Sequence, residues 1–69
     1  MPGKKVIKIL EKIGYKIIRQ KGSHIILKNE KNIMIVVPVH AGEEIGPGLL
    51  LKIITQTGLS KEDFLALGI

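Results

Sequence analysis

Gly22-Ser23-His24 stands among Arg19, Lys21 and Lys28 in a chain of 69 residues, and this cluster holds what acid–base work on a polyanion requires. Histidine is the only side chain whose unperturbed pKa, about 6.5, lets it take a proton and return one near neutral pH. On RNA the simplest metal-free reaction open to it is transesterification. His24 takes the proton of a ribose 2′-OH, and that oxygen attacks the adjacent phosphorus. Arg19, Lys21 or Lys28 offsets the charge building on the phosphoryl oxygens. The product ends are a 2′,3′-cyclic phosphate and a 5′-hydroxyl. His24 is therefore the candidate catalytic residue, with Arg19, Lys21, Ser23, Lys28 and His40 as candidate RNA contacts. The plainer reading stays open beside it. A lone strand histidine next to serine is commonly a hydrogen-bonded structural residue, Ser23 suits a turn, and His40 after Pro38-Val39 suits a loop cap.

Other chemistries find little support. Ser23 has no His-Asp pair at triad spacing. His24, His40, Glu43 and Glu44 match no recognised metal-ligand spacing, and cysteine is absent, so neither a metal nor another cofactor is expected. Gly46-Pro47-Gly48 is followed by no Gly-Lys-Ser/Thr and reads as a helix start, not a phosphate loop. With one Phe, one Tyr and no Trp, a base-stacking platform is disfavoured.

Charge is uneven. Residues 1–40 carry nine Lys/Arg against Glu11 and Glu30, whereas residues 41–69 carry Lys52 and Lys61 against Glu43, Glu44, Glu62 and Asp63. One basic half in a chain of net charge +5 fits a phosphate backbone, although lysine-rich faces also serve merely to hold water. Charged residues interrupt the N-terminal apolar stretch, and the run Ile33 to Val39 is far below the roughly 20 residues that span a bilayer. A soluble, cytoplasmic, single-domain chain over 1–69 without membrane contact is expected.

The elements that must position His24 follow from periodicity. Val6, Ile9, Leu10 and Ile13 recur at helical spacing, and Gly14 suits a left-handed helix end. Tyr15–Gln20 and Ser23–Lys28 read as strands joined at Lys21-Gly22, with Asn29–Asn32 as a second turn and Ile33–Pro38 as a third strand. Pro47 starts a second helix with the apolar stripe Leu49, Leu50, Ile53, Ile54 and Thr57, ended by Gly58. Ser60 caps a last short helix carrying Phe64. The order is α-β-β-β-α-α. A two-residue turn at Lys21-Gly22 sets Arg19 opposite His24, giving one face with Tyr15, Ile17, Arg19, His24, Ile26 and Lys28. A four-residue second turn adds Ile33, Ile35 and Val37 to it. The other face, with Lys16, Ile18, Gln20, Ser23, Ile25, Leu27, Met34, Val36 and Pro38, is then the helix-covered side.

Four segments in order carry a family resemblance: Arg19-x-x-Gly22-Ser23-His24, Val37-Pro38-Val39-His40, Ile45-x-x-Gly48-x-Leu50 and Gly58-Leu59-Ser60 before a Phe-bearing helix. Together they resemble the HicA toxin family. The resemblance implies an α+β fold like a double-stranded-RNA-binding domain, with a three-stranded antiparallel sheet and helices on one face. It implies an mRNA interferase that cuts RNA independently of the ribosome and inhibits translation, with His24 as its essential residue. It also implies a HicB-type antitoxin that masks this histidine. Many relatives have Gly-Thr-Leu-Arg where this chain has Gly48-Leu49-Leu50-Leu51, which removes a hydroxyl and a cation from the second helix. A non-catalytic RNA-binding module, and an interaction domain that uses an apolar sheet face, are the alternatives.

Overall fold

A computed structural model describes all 69 residues. The elements are α1 (Gly3–Lys12), β1 (Lys16–Lys21), β2 (His24–Lys28), β3 (Met34–Pro38), α2 (Pro47–Thr57) and α3 (Lys61–Ala66), and the antiparallel sheet has the order β1-β2-β3. Helix α1 buries Val6, Ile7, Ile9 and Leu10 and turns its lysines outward. It ends as its sequence requires. Gly14 takes φ +99°, its N–H donates to the Glu11 carbonyl, and the Tyr15 N–H donates to the Leu10 carbonyl. That pair of bonds is a Schellman stop, which turns the chain directly into β1.

The core lies on one side of the sheet. Ile25 and Leu27 of β2 face the same way as their partners Val37 and Ile35 of β3, and all four are buried with Val6, Ile9, Leu10, Ile53, Ile54 and Phe64. Helix α2 begins at Pro47, where a missing N–H costs nothing, and stops at Gly58 with φ +80°. Ser60 accepts a hydrogen bond from the Asp63 N–H at 3.1 Å and so caps α3, whose Phe64 is fully buried.

Two registers differ from the sequence reading. The first hairpin turns at Gly22-Ser23, with Lys21 opposite His24, and a bulge sets Ile18 and Arg19 both against Ile26. Gly22 takes φ +59° at the first central position, where a tight hairpin favours glycine. The second loop is longer than four residues: Asn29 and Ile33 bond to each other, Asn32 adopts φ +64°, and Lys28 pairs with Met34. The Asn29 side chain holds this loop by accepting from the Lys31 and Ile33 N–H groups. One extra residue inverts β3, so Ile35 and Val37 are core while Met34, Val36 and Pro38 face away from it. Tyr15 and Ile17 also leave the histidine face. Tyr15 is buried before β1, and Ile17 opposes the core residue Leu27.

The start of α1 presses on the end of β3. A Cβ at Gly3 would lie 2.9 Å from the Pro38 carbonyl oxygen and 3.0 Å from Val39 Cγ2. Backbone cannot yield as a side-chain tip does, so Gly3→Ala lowers the melting temperature, by the equivalent of about 1–3 kcal/mol for overpacking. Gly48→Ala, whose Cβ meets nothing within 4 Å, leaves it unchanged or raises it. Thermal melts of the two variants check this contrast.

Candidate functional site

His24 is the first residue of β2 and is exposed, lying between Lys21 of β1 and Pro38 of β3. Strand alternation puts it on the uncovered side of the sheet, because its neighbour Ile25 faces the core. Pairing then gathers cations there. Lys21 opposes His24, Arg19 opposes Ile26, and Lys16 opposes Lys28, all on the histidine side. The first hairpin is two residues out of the expected register, an even shift that preserves parity and keeps Arg19 on this face, while Lys28 shares it by alternation along β2, four residues from His24. Lys16, expected on the other face, joins them because the bulge restores an odd residue.

None of these cations has a carboxylate partner; the one ion pair lies elsewhere, at Glu44. The face is thus positive and unneutralised, with Ile26, Val36 and Met34 as its apolar centre. Met34 and Val36 are 50% and 44% exposed.

Ser23 and His40 meet each other at the rim. The Val39 N–H donates to the Ser23 carbonyl at 2.7 Å, and Ser23 Oγ lies 3.4 Å from His40 Nε2. His40 also begins a turn, its carbonyl accepting from the Glu43 N–H. Both residues therefore have a structural role where the two chain segments join, while His40 remains exposed. The sequence offered loop cap or RNA contact for His40; the loop role is visible in these bonds.

Helix α2 contributes more than its stripe suggested. His24 lines a groove of about 360 Å³ along the β3 edge of the sheet, where the rim of the uncovered face meets α2, together with Met34, Val36, Leu49, Lys52 and Gln56. Lys52 entered the sequence reading without a site role and Gln56 not at all, because on a helix whose apolar stripe already explains its packing they read as solvent-facing. Their i, i+3, i+7 spacing with Leu49 was the available signal.

Fold and site together define a small basic α+β domain: an open three-stranded sheet, helices on one side, and an exposed histidine among unpaired cations on the other. The family model described as "HicA toxin of bacterial toxin-antitoxin" matches residues 3–59, and the chain belongs to this family. It is thus a toxin of a toxin–antitoxin system, a class paired with a cognate antitoxin. No curated protein matches the chain. The matched segment takes in α1, the whole sheet, His24, His40 and α2, and it stops before α3. No helix is long and apolar enough to cross a membrane.

Proposed function

We propose that this toxin is a cytoplasmic endoribonuclease, an mRNA interferase, that inhibits translation by cutting RNA across the uncovered sheet face. The observation that carries the reading is an exposed His24 on the same face as Arg19, Lys21 and Lys28, none of them neutralised. The guanidinium and ammonium groups hold the phosphates of a flexible strand, and His24 takes the 2′-hydroxyl proton. The 2′-oxygen bonds to phosphorus as the bond from phosphorus to the 5′-oxygen breaks. The departing oxygen takes a proton from the same ring or from water, so charge and atoms balance. Ser23 and His40 at the rim add polar contacts to the strand. A HicB-type antitoxin silences the toxin by covering this face.

A single 2′-deoxy sugar at the cut position tests the chemistry. The deoxy substrate stays intact under conditions that cleave its all-ribose counterpart, as followed on a denaturing gel. Normal cutting of the deoxy substrate would remove the transesterification step, and salt-sensitive binding without any cutting of either strand would leave only an RNA-binding module.

A further inference from the structure

We infer that the free edge of β3 receives an extended segment of the cognate antitoxin, with apolar and acidic side chains in alternation. This deepens the antitoxin reading above and rests on it, and it does not depend on the nuclease. The hydrogen-bond phase of the sheet gives the first reason. The Val39 N–H donates to the Ser23 carbonyl and the Asn29 N–H to the Ile33 carbonyl, so the pairs 23/39 and 29/33 are bonded ones. Bonded and open pairs alternate in an antiparallel ladder, which makes Ile25/Val37 and Leu27/Ile35 bonded and leaves Ile26/Val36 and Lys28/Met34 open. Met34 and Val36 therefore point their N–H and C=O groups away from β2, and β3 has no strand on that side. None of the turn, loop or cap hydrogen bonds takes up these groups. The two side chains are exposed as well. The open stretch is short, because Pro38, next in the same phase, has no N–H and its carbonyl lies against Gly3.

The groove beside this edge suits a polypeptide better than it suits RNA. Extended peptides add to exposed sheet edges, main-chain bonds giving affinity and the adjoining recess giving specificity. Met34 and Val36 line the groove from β3, and Leu49, Lys52 and Gln56 line it from α2. A strand repeats donor and acceptor at the spacing of β3 itself, about 6.8 Å for every two residues. Phosphate oxygens only accept, so they leave the outward carbonyls without a donor. Charge then sets the side chains of the segment. His24 and Lys52 are in the lining, no carboxylate is, Lys28 stands opposite Met34, and Lys52 has no ion-pair partner. An acidic segment is attracted here and a basic one repelled. Because His24 belongs to the lining, a strand seated at this edge brings the antitoxin onto the imidazole.

The test uses the full chain, the purified cognate antitoxin and fluorescent peptides that alternate valine with glutamate or with lysine. The valine–glutamate peptide binds roughly 5-fold more tightly than the valine–lysine one, and Lys52→Glu narrows that preference. Methylating the main-chain nitrogens of one alternate set of its residues weakens binding about 10-fold or more, the worth of two lost hydrogen bonds. Methylating the other set, whose N–H groups point away from β3, changes binding by less than about twofold. Antitoxin displaces the peptide. Val36→Pro, which removes one outward N–H where a strand edge tolerates proline, weakens peptide and antitoxin by about 5-fold or more. Thermal melts identify an unfolded variant, and Val36→Asp then repeats the test through charge at an exposed side chain. No peptide binding, or equal loss from both methylated sets, overturns the edge. Antitoxin that binds beside the peptide, or that ignores the edge variants, overturns it too and leaves the masking of His24 to another contact. A uridine decamer that Val36→Pro weakens where no peptide binds gives the groove to RNA, and a dimer of the chain dissolved by that variant gives it to a second copy; either result overturns the proposal. Antitoxin that needs the edge while the His24 ring signals stay as in the free chain upholds the segment and removes the masking.

Discussion

His24→Ala lowers RNA cleavage by roughly 10²–10⁴-fold, the usual worth of one positioned acid–base group, and leaves the thermal melt of the chain unchanged. The second half of that expectation follows from location. His24 is exposed and opens its strand, so removing the ring uncovers no core. The imidazole contributes to the reaction and not to the packing, and the two readouts separate cleanly. In cells the same substitution relieves growth arrest on expression without lowering the amount of folded protein. A variant that cuts as fast as wild type removes His24 from the mechanism. A variant that is inactive because it has unfolded shows itself in the melt, and His24→Gln then repeats the test with a polar side chain of similar size.

Phe64→Ala unfolds most of the protein at room temperature. The ring is fully buried and is the only buried side chain of α3. Truncating a core phenylalanine costs about 3–5 kcal/mol, while a chain of this length nets only about 3–5 kcal/mol from its core. Phe64→Leu restores much of the loss, and Leu51→Ala, at a side chain 55% exposed, serves as the unperturbed control. Urea denaturation followed by circular dichroism ranks the three. This residue lies beyond the family-matched segment, which ends at Leu59. The last helix of the chain therefore closes a core whose other walls the family segment supplies.

The element order was legible because each boundary had a chemical sign: Gly14 and Gly58 at helix ends, Pro47 and Ser60 at helix starts. The alternation Ile25, Leu27 against His24, Ile26 gave the correct inner face of β2 for the same reason, since β2 carries no bulge. What failed was counting across turns. A loop held by the Asn29 side chain and an Asn32 in the left-handed region looks like any four polar residues in sequence, yet its length inverts β3. The β1 bulge is similarly silent, because nothing in Ile17-Ile18-Arg19 announces which residue is doubled. Arg19 nonetheless reached the histidine face, because the first hairpin slipped by an even number of residues, and Lys28 needed no register at all, being four residues from His24 on the same strand. Lys52 and Gln56 depended on where α2 lies against the sheet, a long-range packing fact that local pattern does not encode.

The doubled pair Ile18-Arg19 has a further consequence for how the toxin meets other chains. β1 ends the sheet on its side, and a flat outermost strand invites a second polypeptide to add itself through main-chain hydrogen bonds. Here that rim is kinked at its middle and bears Lys16 and Lys21 along its length. Strand addition at β1 is thereby discouraged, which protects an aliphatic-rich small protein from self-templated assembly.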